Sequence, residues 1–61
     1  MDENSYLRSA AARQKLGGIS EPTFWRLRQR EDFPLARMIG RTPLWNSREI
    51  DEFLDRQPRR K

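Results

Sequence analysis

The residues best suited to chemistry fall in GGISEPTFWRLRQR, residues 17–30, where two adjacent rings, Phe24 and Trp25, are followed by Arg26, Arg28 and Arg30. Arg37 and Arg41 extend the series to five arginines, opposed between Arg26 and Arg41 only by Glu31 and Asp32. A guanidinium is a permanent cation with a planar fork of donors, suited to phosphate oxygens or to the paired acceptors of a guanine edge and unsuited to moving protons. The groups that usually supply acid–base, nucleophilic or zinc chemistry are missing, since the chain has no histidine and no cysteine. Disulfide frameworks, Cys/His metal sites and histidine catalysis are therefore excluded. The carboxylates gather between Glu49 and Asp55, in a segment with no base, on what reads as an exposed helix face with no pocket. An enzyme is accordingly the least supported class, and no catalytic residue, metal or cofactor is expected. The chemistry available is recognition.

The elements that position these residues must be few. At 61 residues there is room for one domain of about three short helices and a hairpin, near the lower size at which a core holds a fold without staples. The formal charge of +4 and a pI near 10.7 favour a polyanionic partner. No apolar signal core opens the sequence and no run is long enough to span a membrane, so a cytoplasmic protein is expected. Residues 1–5, MDENS, are polar and read as a disordered N-terminus. Residues 57–61 end in Arg59, Arg60 and Lys61 and read as a basic tail, solvated or in contact with the partner. The domain proper spans residues 6–56.

Ser9 is the N-cap expected for a first helix through AAARQKL, and Gly17 and Gly18 end it by taking the left-handed cap conformation. Ser20 is the next N-cap, with Glu21 favourable to the helix dipole and Pro22 tolerated in the first turn. The second helix should run to about Arg30, with Ile19, Phe24 and Leu27 inward and Trp25, one hundred degrees beyond Phe24, at the boundary or outside. Phe33 before Pro34 is extended chain, and two short strand-like pieces flank GRTP as a small hairpin carrying Arg37 and Arg41. Asn46 with Glu49 three residues on has the capping-box spacing for a third helix, whose inward stripe is Ile50, Phe53 and Leu54. Asp51, Glu52 and Asp55 form its outer face, and Pro58 stops it. Trp45 reads as core, beside Phe33, Phe53 and Leu54. The fold class expected is mainly α with a small β-hairpin, two helices joined by a glycine turn with the second basic on its outer face: a winged helix-turn-helix.

GGISEPTFWRL, then FP, IGRTPLW and EIDEFL, in this order, resemble the AlpA-like family of small bacterial and phage regulators, relatives of the excisionases and of the MerR-type DNA-binding domain. The likeness covers roughly residues 6–56. Three features depart from the pattern: the second glycine lengthens the turn, Pro43 withholds a ladder donor from the second strand of the wing, and Glu21 opens the second helix with an acid, unusual for contact with phosphate.

The resemblance implies that the second helix enters the major groove. Ser20 then meets phosphate at the helix N-terminus, and Thr23 either does the same or packs within the protein. Glu21 accepts from a cytosine amino group or merely serves the helix dipole. Arg26 is the leading base reader, able to hold guanine O6 and N7 together. Trp25 lies on sugar and phosphate or closes the core from outside, and the helix angle decides between Arg28 and Gln29. Arg37 lies on or near the wing, and Arg41 at its tip suits a narrow minor groove. The acidic third helix is then turned away from DNA. The partner is double-stranded DNA, with an integrase or recombinase in the excisionase role and a dimer or head-to-tail assembly on DNA to extend a short footprint. The competing class is a small protein-interaction module, a phage-type inhibitor or adaptor binding an acidic partner through the same face. RNA is less favoured, because no aromatic sheet platform is evident.

Overall fold

A computed structural model describes residues 5–60; of the N-terminal reading on residues 1–5, residues 1–4 lie outside that range, as does tail residue 61, while the Ser5 carbonyl accepts from Ser47 N–H at 2.8 Å, which ties residue 5 to the domain and corrects the reading there. Its elements are β1 (Tyr6–Leu7), α1 (Ser9–Lys15), α2 (Glu21–Arg28), β2 (Arg37–Ile39), β3 (Thr42–Asn46) and α3 (Ser47–Asp55). The strands form one antiparallel sheet in the order β1-β3-β2. The expected two-stranded hairpin is thus corrected to a three-stranded sheet, with β3 paired on both sides.

The registers show why β3 tolerates its proline. Ile39 pairs with Thr42, Met38 with Pro43 and Arg37 with Leu44, around the two-residue turn Gly40-Arg41. Gly40 has φ +59°, which suits the first position of a type II′ hairpin turn. A two-residue turn closes on a hydrogen-bonded pair, so the next pair, Met38 with Pro43, is one that exchanges no ladder bonds. On the other side β1 pairs Leu7 with Trp45 and Tyr6 with Asn46, and so does not reach Pro43. The missing N–H falls where no strand asks for it, and Thr42 and Pro43 belong to the strand and not to the turn.

The helix ends follow local chemistry, with one exception. Ser9 is not the N-cap of α1. Arg8 is, with φ −74° and ψ 172° and no side-chain cap, and its carbonyl accepts from Ala12 N–H at 2.8 Å. Strand β1 runs directly into the helix, which moves the half-helical position one residue ahead of Ser9. At the other end Gly17 N–H donates to the Gln14 carbonyl at 3.1 Å and Gly18 N–H to the Arg13 carbonyl at 2.8 Å, the paired bonds of a Schellman turn, with Gly17 at φ +91°. Ser20 caps α2 as expected, accepting from Thr23 N–H at 3.3 Å. That helix ends at Arg28, two residues earlier than expected, and Gln29 and Arg30 close it through shorter-range bonds to the Arg26 and Leu27 carbonyls. Asn46 Oδ1 accepts from Glu49 N–H at 3.0 Å and so caps α3.

Ala12, Phe24, Phe33, Trp45, Ile50 and Phe53 form the core, each at most 4% exposed, with Leu7, Leu16, Ile19, Leu27 and Ala36 packed around it. Ala12 lets α1 approach closely, and it is the buried residue of that helix. Leu54, assigned above to the inward stripe of α3, is 40% exposed. Ile50 and Phe53 already fill the contact with the sheet, and the next position round the helix points past it. Burying an aromatic side chain contributes about 1.5–3 kcal/mol, so the aromatic side chains carry most of the stability of so small a core. No helix of the described residues is long and apolar enough to cross a membrane.

Candidate nucleic-acid interface

Helix α2 is fixed by one side and offers the other. Phe24, 3% exposed, is its buried residue, and it stands edge to face with Phe33 and with Trp45. At one hundred degrees per residue, anchoring Phe24 and the half-buried Leu27 turns Pro22, Trp25, Arg26 and Gln29 to the opposite side. All four are exposed, and Trp25 retains 59% of its surface. Phe24 inward and Trp25 outward is the division expected from the sequence.

The arginines, equivalent by type, differ in what they touch. Arg30 makes a two-pronged pair with Asp32, at 3.0 Å from Nε and 2.8 Å from Nη2, and its guanidinium lies 5.4 Å from the Phe53 ring centroid. Arg28 is drawn over the indole of Trp45, 5.0 Å from the ring centroid. Both serve the fold. Among the described residues Arg26, Arg37 and Arg41 have no side-chain ion pair or hydrogen bond, so these three carry uncompensated charge. Arg26 is on the outward side of α2, Arg41 is in the turn of the β2–β3 hairpin, and Arg37 is on edge strand β2 beside a groove shared with Pro34, Leu35, Ala36 and Glu49. Screening leaves such exposed cations weakly stabilising within the protein and available to a polyanion.

Ser20 and Thr23 are joined by more than the cap. The Ser20 hydroxyl donates to Thr23 Oγ1 at 3.0 Å, which leaves the Thr23 hydroxyl its own proton to give. Of the two, Thr23 is the one with a free donor for an outside acceptor. Gln29, the C-cap of α2, has its side chain exposed and without a partner among the described residues.

Two ion pairs join elements distant in sequence, and sequence reading missed both. Arg13 of α1 meets Glu21, the first residue of α2, at 3.1 Å, across the turn between the helices. Lys15 meets Asp51 at 2.9 Å, tying the end of α1 to α3. Asp51 therefore does not belong wholly to a free outer face, whereas Glu52 and Asp55 are exposed and unpaired among the described residues. Opposite charges in three different helices carry no local signal of which will meet. Arg13, Glu21, Ser9, Phe24, Trp25 and Arg28 also line a shallow groove between α1 and α2. Among the described residues no cluster of His, Cys, Asp or Glu side chains is arranged to hold a metal ion. Comparison with family models, with curated proteins and with solved structures returned no match, so the functional reading rests on these residues and their geometry.

Proposed function

We propose that this chain is a sequence-specific double-stranded DNA-binding protein of the winged helix-turn-helix kind, an AlpA-like transcriptional regulator or excisionase. Helix α2 enters the major groove, and the β2–β3 hairpin, as the wing, brings Arg41 to the adjacent minor groove. The carrying observation is the two-sidedness of α2: Phe24 locks one side into the aromatic core, while Trp25 projects from the other together with Arg26 and Gln29, whose side chains have no partner among the described residues. A rigid helix with a fork-shaped cation and amide on its free face is the arrangement that reads base edges, guanine by arginine and adenine by glutamine. Thr23, with its donor unspent, suits a phosphate oxygen near the helix N-terminus. The exposed acids of α3, Glu52 and Asp55, are repelled by phosphate and orient that helix away from the duplex.

The test is selection of binding sites from a random duplex pool, followed by salt titration of the enriched duplex with wild-type protein and Arg26→Ala. Enrichment of a short motif that loses a guanine preference in the variant supports the proposal. Uniform binding to all duplexes that fades with salt overturns it and leaves a nonspecific or protein-directed basic face.

A further inference from the structure

Glu21 is an unusual way to begin a DNA-reading helix. An acid and then Pro22 stand where α2 begins, although the rest of its free face is cationic or neutral. Next to phosphate a carboxylate is repelled, so Glu21 has no use as a backbone contact. In a helix laid into the major groove by its N-terminal end, however, the first residues meet base edges.

The surroundings of Glu21 fix its carboxylate without hiding it. Its side chain is 82% exposed, and one oxygen, Oε2, is ion-paired with Arg13 Nη1 at 3.1 Å. Arg13 comes from α1 and has only 28% of its side chain exposed, with its Nε enclosed and unpaired, so the arginine is packed into the protein and not swinging in solvent. Both members of the pair line the α1–α2 groove, together with Trp25. The second oxygen, Oε1, has no partner among the described residues.

An oriented carboxylate with one free oxygen accepts a single hydrogen bond from an amino group. In the major groove cytosine offers N4–H next to a non-polar C5–H edge. Adenine offers N6–H beside the N7 acceptor, which repels the carboxylate, and guanine and thymine offer acceptors alone. We infer that Glu21, held in place by Arg13, is a specificity-determining residue that selects cytosine at one position of the DNA site. Arg13 is the positioning residue. The inference rests on the DNA-binding reading above and adds to it one base of the target and the residue that chooses it.

Site selection from a random duplex pool with wild type, Glu21→Gln and Arg13→Gln tests it, with duplexes substituted at each motif position used for titration. Wild type is expected to enrich a motif with one cytosine whose replacement weakens binding roughly tenfold, the usual scale for one mismatched pair. Glu21→Gln should convert that position to adenine, the base a glutamine amide matches through N6 and N7, and leave the other positions as they were. Arg13→Gln should flatten the preference at the same position only, an effect that a general loss of stability does not produce. Because Glu21 is exposed, its substitution leaves the fold intact, which a urea melt verifies. A Glu21→Gln motif identical to that of wild type overturns the inference while the DNA-binding proposal stands. If wild type enriches no motif, both fail.

Discussion

The Phe24 ring meets the indole of Trp45 edge to face, with centroids 5.0 Å apart and planes at 70°. The contact continues from Phe24 to Phe33 at 6.0 Å and from Phe33 to Phe53 at 4.9 Å, so one file of rings runs from Trp45 of β3 through Phe24 of α2 and Phe33 of the following loop to Phe53 of α3. Such pairs contribute about 0.5–1.5 kcal/mol each beyond their burial. Since Phe24 is the buried residue of α2 and Leu27 packs beside it against the core, these two side chains, Phe24 foremost, set the direction in which Trp25 and Arg26 project.

Truncating that anchor should unfold the protein. Phe24→Ala is expected to cost about 3–5 kcal/mol, which is about the whole stability that so small a core supplies. Far-ultraviolet circular dichroism at room temperature should show an unfolded chain, whereas Phe24→Leu should remain folded with a lowered melting temperature. A folded, cooperative Phe24→Ala would show that α2 is held by other contacts.

Arg26 and Arg28 should separate recognition from stability. Arg26→Ala is expected to change unfolding free energy by no more than about 0.5 kcal/mol, as an exposed and unpaired position does, and to weaken the selected duplex by about 1–3 kcal/mol. Arg28→Ala removes a cation from the face of Trp45 and should lower stability by about 0.5–1 kcal/mol. Urea melts and duplex titrations on the two variants, side by side, read both quantities.

The salt dependence of DNA binding should distinguish free from committed arginines. Arg41→Ala is expected to reduce the slope of log K against log salt by about 1, the signature of one cation lost from the DNA surface. Arg30→Ala should leave the slope unchanged, because its charge is matched by Asp32 at 2.8 Å. Equal slopes for Arg41→Ala and wild type would remove the hairpin turn from the interface.

Gly17 should resist substitution for a backbone reason alone. A Cβ there would meet nothing within 4 Å, yet φ is +91°. Gly17→Ala is expected to lose about 1–2 kcal/mol from left-handed strain, with Gly17→Asn losing less. Urea midpoints at constant m-value check this, since constant m ties the change to stability and not to a new unfolded state.

Much of the fold was legible where hydrogen bonds are local. Ser20 and Asn46 each need only a donor three residues ahead, Gly17 needs only its own freedom at positive φ, and the hairpin turn needs only Gly40. The inward Phe24 and outward Trp25 followed from helical periodicity, because one buried ring fixes the phase of a short helix. At the candidate site, the residue types and the outward placement of Arg26 and Gln29 on α2 were likewise readable.

Local pattern did not reach further. Tyr6–Leu7 is too short to show alternation, so only the edge of β3 makes it a strand, and that strand in turn displaced the cap of α1 from Ser9 to Arg8. The exposure of Leu54 was decided by the room left beside Ile50 and Phe53. Sequence alone determined the caps at Ser20 and Asn46, the glycine stop of α1 and the phase of α2, since each depends on residue type or on neighbours within a turn. Tertiary structure alone decided which arginines are spent on Trp45 and Asp32, which remain free, and that Arg13 holds Glu21, because charges attract through space and their sequence separation says nothing about who will meet.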